Sequence, residues 1–523
     1  MATIVRHRTQ DTWVRWLVFA GIAAIYLYFP TRNYFFDGID FANTIEQAPA
    51  LHPSLFHPNH LIYNQVGSLF YRLFSGLGFN LRAVAALQIL NSLLSVGCAW
   101  VLFLILKSVL RSRYLCYTLT LLFAFSATWW KFSTDADAYV PSVLFLLISF
   151  YLALPNSKPK PLLVGFSYAL SLCFHQIAIV FFPTLVVALF LQVPALSRRR
   201  RTINALVFGG ASTLITLGTY VTAFFLLTGT FQLTRFLRWT LSYAPDESFG
   251  FHPWDNFVYT LRGHFRLFFG GRLNASKGLL NPLIVLLIVV LSVLLSILIF
   301  MFIRHFKKPD WRWFQTLRLD PLRRMLALLC VLWSSLYLIF LFFLMAHHTF
   351  YRLFYLPALI ILLGLCLDSD DFVARPQRHY RLALFVAVLA VGNFLMLIFP
   401  YAHVEKYPPL KLALEMNQTW PRGTVIYFGA PNADNSLTKY FNQGTEWKQL
   451  KPDELDMIET DLRQANARGG AVWLETSAID LLGSTPAGAE WLKQHAREGT
   501  QHALVTKAHN IRFLQIVPST TDD

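Results

Sequence analysis

A chain of 523 residues that is 55% hydrophobic and 16% aromatic but only 14% charged departs from water-soluble domains, where roughly a quarter of residues are charged. Its net charge of +16 is scattered over short loops between apolar runs, which excludes a nucleic-acid footprint as its cause. The five cysteines lie in or at the ends of those runs, so no external disulfide framework is expected.

Apolar runs recur at 16–30, 84–106, 115–130, 140–154, 161–193, 205–228, 279–303, 326–346, 353–367 and 382–400. Most reach or approach the ~20 residues that carry a helix across a hydrocarbon core. Run 161–193 is too long for one span at ~1.5 Å per residue, and His175-Gln176 interrupts it. Two short helices meeting at the membrane surface are expected there. The predicted fold is a polytopic α-helical membrane protein of about eleven transmembrane helices. The first run lacks a small-residue cleavage site and reads as a retained span, with no cleavable signal peptide.

Orientation follows from one set of alternate loops. These carry Arg111/Arg113, Lys158/Lys160, the arginines of 198–201, the basic residues of 304–324 and Arg375/Arg378/Arg381, and the positive-inside rule makes them cytoplasmic. The N-terminus is then inside. Residues 1–400 form a transmembrane domain with external loops 31–82 and 229–278, and residues 401–523 a small extracytoplasmic soluble α/β domain.

The first external loop carries Asp37 and Asp40 in the run Phe35-Phe36-Asp37-Gly38-Ile39-Asp40-Phe41. One reading makes Asp40 the N-cap of a helix starting at Phe41, with Asp37 solvated. The other makes one of them the general base for an acceptor hydroxyl. His52, His57 and His60 follow; they are a loose set for a metal, and His57-Pro58 reads more simply as a turn opening a helix. Leu61, Ile62, Val66, Leu69, Phe70, Leu73 and Phe74 recur at helical spacing, as in a helix lying in the interface.

Thr134 and Asp137 have capping-box spacing ahead of the fourth span, with Asp135 and Tyr139 beside them on the same predicted side as Asp37. His175 sits at the junction inside the 161–193 run, again on that side. In the second external loop Arg235, Arg238, Arg262, Arg266 and Arg272 suit either lipid headgroups or a phosphate. A short external turn holds His347, His348 and Arg352, and the guanidinium of Arg352 suits phosphate oxygens. Asp37, Asp40, Glu46, Asp135, Asp137, Asp246, Glu247 and Asp255 all fall on the external side, and no acid falls at mid-span. That distribution speaks against a proton-coupled transporter and for a site at the external face.

After Pro400 the chain turns mixed polar. Strands are predicted at 424–430, 471–475, 503–507 and 512–517, and helices at 452–467 and 487–496. No internal repeat is evident. Sequons at 274–276 and 417–419 fall on predicted external segments.

Read together, these residues resemble the GT-C class of membrane glycosyltransferases, and within it the multi-pass proteins related to protein O-mannosyltransferases. Asp37-Gly38-Ile39-Asp40 stands where that family has an Asp-x-Gly-Glu-like stretch after the first span, and His57-Pro58-Asn59 where it has His-Pro-Pro. Trp129 through Asp137-Ala138-Tyr139 resembles its Trp and Glu-x-Tyr element, and Leu172-Cys173-Phe174-His175-Gln176 its Leu-x-x-x-His-His-like turn. Ile39, Asn59 and Asp137 replace the family's glycine, second proline and glutamate. The resemblance covers roughly residues 10–200 and implies a donor sugar on polyprenyl or dolichyl phosphate, transferred with inversion at the external face.

On that resemblance Asp37 and Asp40 are the catalytic candidates, with Asp37 as base. His57, Asp135, Asp137, Tyr139, His175, His347, His348 and Arg352 are the substrate-binding candidates, Arg352 facing the departing phosphate. The implied partners are the lipid-linked donor, a protein, lipid or glycan acceptor, and membrane lipids, with no nucleic acid. No resident cofactor is read from the residues, and the need for a divalent metal is left open. A transporter or flippase of lipid-linked sugars, or a lipid-linked glycan polymerase or ligase, are the competing readings. The expected location is a bacterial inner (plasma) membrane, or the ER membrane in a eukaryotic host.

Overall fold

The computed structural model describes residues 2–155, 159–191, 196–242, 252–271, 320–368, 375–429, 433–442, 444–451, 455–505 and 510–517, with scattered positions between 282 and 300. Lys158, Asp246, Glu247, Arg272, the sequon at 274–276, most of run 279–303 and the basic residues of 304–318 lie outside the described residues. Contacts divide the chain into two compact units. The first is Met1–Thr31 with Thr44–Pro400; the second is Arg32–Asn43 with Tyr401–Asp523.

In the first unit, four described helices are long and apolar enough to cross a membrane: Ala83–Val109, Arg198–Thr228, Pro321–Leu344 and Gln377–Tyr401. Thr12–Tyr28, Tyr139–Ala153, Pro161–Phe174, Gln176–Leu191 and Leu356–Leu367 are shorter apolar helices. We number the helices used below α1 (Ala2–Tyr28), α2 (Phe36–Gln47), α3 (Tyr63–Gly76), α4 (Ala83–Val109), α5 (Arg113–Ala124), α6 (Ala127–Ser133) and α7 (Tyr139–Ala153). Next come α8 (Pro161–Phe174), α9 (Phe182–Leu191), α10 (Arg198–Thr228), α11 (Leu233–Thr240), α12 (Pro253–Phe268), α13 (Pro321–Leu344), α14 (Leu356–Leu367) and α15 (Pro376–Asn393).

The 161–193 run does divide. α8 ends at Phe174, His175 is extended, and a tight 3-10 stretch, Gln176–Phe181, leads into α9. Run 115–130, expected as one span, is also broken. Ser126 is extended between α5 and α6, and Asn393 Nδ2 donates to the Phe125 carbonyl (2.9 Å), meeting a group that the break leaves without a helical partner.

α3 is a helix with its sides reversed for water. Asn64, Gln65 and Ser68 are buried, whereas Leu69 and Leu73 are exposed, the arrangement expected where the surroundings are lipid. Glu46 closes the turn beyond it. Its carboxylate takes Arg82 in a two-point pair (2.9 Å each) and accepts from the Ala83 amide (2.8 Å), capping α4. At the far ends of the helices, fully buried Asp368 after α14 accepts from Arg323 Nη2 of α13 (2.5 Å) and from the Arg111 amide (3.0 Å).

The second unit is built on a five-stranded sheet of β1 (Thr424–Phe428), β2 (Thr445–Gln449), β3 (Val472–Glu475), β4 (Ala496–Val505) and β5 (Asn510–Ile516) in the order β2-β1-β3-β5-β4. β1 pairs parallel with β2 and β3, and β5 pairs antiparallel with β3 and β4. Alternation along β1 and β3 feeds two cores. Val425, Tyr427, Val472 and Leu474 pack with Ile458 and Leu462, while Ile426 and Trp473 pack with Met416, Trp447 and Phe513. β2 is absent from the strands expected, because only Trp447 of Thr445-Glu446-Trp447-Lys448-Gln449 is buried and an edge strand of that kind shows little alternation. The helices here are α16 (Pro408–Thr419), α17 (Ala433–Phe441), α18 (Leu455–Ala467), α19 (Thr476–Gly483) and α20 (Pro486–His495).

Candidate active site

The first half of α4 carries Gln88, Asn91, Ser92 and Ser95, all buried at i, i+3, i+4 and i+7 in an otherwise apolar helix. This stripe holds the connection between α6 and α7. Gln88 Nε2 donates to the carbonyls of Thr31 (2.7 Å) and Thr134 (2.9 Å), and Ser92 Oγ to that of Ser133 (3.1 Å). Asn91 Nδ2 donates to the carbonyls of Asp135 and Asp137 (2.7 Å each). The backbone between the two aspartates is thereby fixed from below.

The expected capping box is not formed. α7 begins at Tyr139 with Ala138 as its cap, and Thr134 Oγ1 turns back to the carbonyls of Trp130 and Lys131. The reason is the clamp itself: Asn91 draws the 135–137 backbone toward α4 before the helix can start. Asp135 is fully buried in an ion pair with Lys131 and accepts from the Ala136 amide (2.9 Å). Asp137 is fully buried as well. Replacing Asn91 by leucine leaves two buried carbonyls without their donor. At about 1–3 kcal/mol for each such group, the variant is expected to lose about 2 kcal/mol or more, read as earlier thermal unfolding in detergent.

Tyr139 opens onto a cluster of rings delivered by four separate elements. Its ring lies 5.1 Å from His175, 6.3 Å from His60, 5.2 Å from Phe350 and 5.7 Å from Tyr351. His60 stands 4.6 Å from His175 and stacks on His57 at 5.4 Å. His348 joins from the next turn, 4.8 Å from Phe350 and 5.6 Å from Tyr351, with His347 against it at 4.0 Å. Residues 118 positions apart are thus brought together. Gln176 Nε2 donates to the Pro58 carbonyl (2.9 Å), and Tyr220 Oη does so too (2.7 Å), holding the His57-Pro58 turn in place.

Hydrogen bonding assigns the protons. His60 Nδ1 meets the Phe174 carbonyl (3.4 Å) and so carries hydrogen, leaving Nε2 to accept from Asn59 (3.3 Å). His175 Nδ1 accepts the Ile177 amide (3.2 Å), which puts the proton on Nε2. That Nε2 is buried and has no hydrogen-bond partner among the described residues. An orphaned buried donor is costly to a fold and is the kind of group a ligand oxygen satisfies. Burial alone pushes His57 down to about 4, and burial with its two neighbouring imidazoles holds His60 well below the ordinary range. Both are therefore neutral at neutral pH. His52 is spent on the Ser54 amide and hydroxyl, and among the described residues no group of three or more His, Cys, Asp or Glu is placed to hold a metal ion.

Arg352 is 1% exposed. Its Nη1 donates to the His348 carbonyl (2.7 Å) and its Nη2 to that of Ala346 (2.8 Å), so the guanidinium ties together the turn that carries the histidines. It lies flat against α12 at Gly263, where a Cβ would come 2.3 Å from Cζ; only glycine admits this approach. His264, next on that helix, accepts from Tyr355 Oη (2.9 Å) while its Nδ1 donates to the Thr260 carbonyl (2.8 Å).

Asp37 and Asp40 belong to the other unit. α2 starts at Phe36, not Phe41, so Asp37 lies in its first turn and Asp40 one turn in, and Asp40 is not the N-cap of that helix. Burial raises the Asp40 carboxyl, against the pull of Ser436 and Lys439 on α17. The Tyr34 ring stacks on Phe441 of the same helix at 6.0 Å. Gln88, Asn91, Gln176 and Tyr351 join the cluster from outside the sequence motifs, although polar residues at helical spacing within an apolar run are a readable signal for the first two.

No family model and no curated protein matches the chain. Among the solved structures that match are ArnT from Cupriavidus metallidurans bound to undecaprenyl phosphate and the same protein in the apo state, both over nearly the whole length of the chain. Each has a TM-score of 0.60 at 11% identity. The alignments cover 96% and 97% of this chain and 98% of ArnT. The likeness is one of fold: a helical architecture shared with ArnT over nearly the full length of both chains.

Proposed function

We propose that the chain is a membrane glycosyltransferase that moves a sugar from a polyprenyl-phosphate carrier to an acceptor hydroxyl at the external membrane face, with inversion. The observation that carries the reading is the buried ring cluster of His57, His60, Tyr139, His175 and His348 in a fold shared with ArnT, whose structure holds undecaprenyl phosphate. Neutral imidazoles and a tyrosine offer hydrogen bonds without fixed charge, which suits the hydroxyls of a sugar. The unpartnered Nε2–H of His175 is assigned to a donor oxygen.

In the proposed step the acceptor hydroxyl gives its proton to the Asp37 carboxylate as its oxygen bonds to the anomeric carbon. The bond from that carbon to the carrier phosphate breaks, and its electron pair leaves on the phosphate. Asp40 supports the base, and Asp135, Asp137, Tyr139 and His347 position donor or acceptor. Arg352 fixes the histidine-bearing turn and adds positive charge toward the leaving phosphate. The motif order from Asp37 to His175 supports a place near the protein O-mannosyltransferase-related group. The N-terminus is assigned to the cytoplasm and residues 401–523 to the outside of a bacterial inner membrane, or to the lumen in an ER membrane.

The test is reconstitution in liposomes with polyprenyl-phosphate sugars and sugar nucleotides offered separately. Released polyprenyl phosphate, matched by sugar on the acceptor, is expected only from the lipid-linked donor. Turnover of a sugar nucleotide, or movement of the intact lipid-linked sugar across the bilayer without release, would overturn the proposal.

A further inference from the structure

At the other end of the helix that clamps the candidate site lies a cavity of about 220 Å³ between α1, α4 and α5. Its lining includes Thr12 and Arg15 of α1, Phe103 and Lys107 of α4, and Arg113 and Tyr117 of α5. The spacings of three and four residues within each helix turn these side chains to one point. Asn91 and Lys107 stand sixteen residues apart on α4, so the cavity is roughly 24 Å along the helix from the clamp. This is the side that the positive-inside rule assigns to the cytoplasm.

Among the described residues, three cations and no carboxylate line the cavity. The nearby Asp368 is already engaged by Arg323 and Arg111. Arg15 is held with its guanidinium carbon 5.3 Å from the centre of the Trp100 ring, and its Nε is buried with no hydrogen-bond partner among the described residues. Such a donor, pre-positioned on an aromatic face beside two further cations, is arranged for an anion. The volume is below the roughly 300–1,000 Å³ of sites that enclose drug-sized molecules, so the anion is small or only the head of something larger.

The surroundings identify the source. Trp13, Trp16 and Tyr114 are exposed beside the cavity, and Trp16 packs on Trp100 at 5.7 Å. Aromatic residues of this kind mark the headgroup level of a bilayer. We infer that this cavity binds the phosphate of an anionic phospholipid on the face of the membrane opposite the candidate active site. Arg15 and Arg113 hold the phosphate oxygens, Lys107 adds charge, and Phe103 borders the start of the acyl region. The assignment stands independently of the sugar-transfer reading.

The full chain in neutral detergent, titrated with short-chain phosphatidylglycerol, short-chain phosphatidylcholine and inorganic phosphate, provides the test, read by tryptophan fluorescence and thermal shift. Phosphatidylglycerol is expected to bind tightest. Lys107→Gln and Arg113→Gln remove exposed charges, and each should weaken it about fivefold, the worth of one cation at an anionic surface. Arg15→Lys, which keeps charge but loses the fork, should weaken it too, while Arg15→Gln should do so further. Equal binding of phosphatidylcholine, or unchanged affinity in Lys107→Gln and Arg113→Gln, would overturn the inference. Inorganic phosphate binding as tightly as the lipid would overturn the lipid assignment in favour of a soluble anion.

Discussion

Replacing Asp37 by asparagine is expected to lower the rate of sugar transfer by about two to four orders of magnitude, the usual worth of a positioned general base. That corresponds to about 3–5 kcal/mol of transition-state stabilisation. Asp37 lies in the first turn of α2, where a negative charge gains about 0.3–1 kcal/mol from the helix dipole, and asparagine keeps the shape and one acceptor oxygen of the side chain. Activity and stability should therefore separate: thermal unfolding stays close to the parent while the single-turnover rate collapses. Asp40→Asn is the companion variant: that carboxyl is half-buried against Ser436 and Lys439, and as a support to the base its loss should lower transfer less than Asp37→Asn does. A variant pair in which Asp40→Asn is silent for transfer and Asp37→Asn retains it would reassign the base altogether.

The second large effect concerns the fold. Asp368 is fully buried and receives Arg323, whose side chain is only 6% exposed. Asp368→Asn takes away the buried counter-charge of that guanidinium and leaves it only the more exposed Asp320, 3.1 Å from its Nε; breaking a buried pair from one side costs up to about 3–5 kcal/mol. The expected result is a protein that unfolds at markedly lower temperature in detergent. Pairing Asp368→Asn with Arg323→Met should recover part of the loss, since the double change removes the buried charge along with its buried partner. No recovery would show that Arg111, which also reaches Asp368 through its backbone amide and the Asp368 carbonyl, carries the junction by itself.

These two sites differ in how they could be read beforehand. The helical membrane architecture was legible from run length and polarity, because lipid leaves few ways to satisfy a backbone. The interruption at His175-Gln176 was legible too, since polar residues within an apolar stretch need a reason. The break at Ser126 was not, for serine is common inside apolar helices and the compensating donor, Asn393, comes 268 positions later. For the same reason Thr134 and Asp137 showed the spacing of a capping box without forming one: the deciding partner, Asn91, lies on another helix. His57, Tyr139, His175 and His348 are candidates because topology puts their motifs on one external face in the order of the resembled family, and their rings lie in one cluster. Tyr351 carries no such signal, because an aromatic residue beside a membrane span has an ordinary explanation as an interfacial anchor.

The grouping of Arg32–Asn43 with Tyr401–Asp523 has a practical consequence for anyone dissecting the protein. Its C-terminal unit is not a contiguous stretch of gene. A fragment beginning at Tyr401 would lose the Arg32 amide that donates to the Tyr401 carbonyl and the Tyr34 ring that covers Phe441. A faithful soluble version has to splice the dodecapeptide 32–43 back onto the later sequence, as an appended or permuted strap, before its folding or its ligands can be studied in isolation.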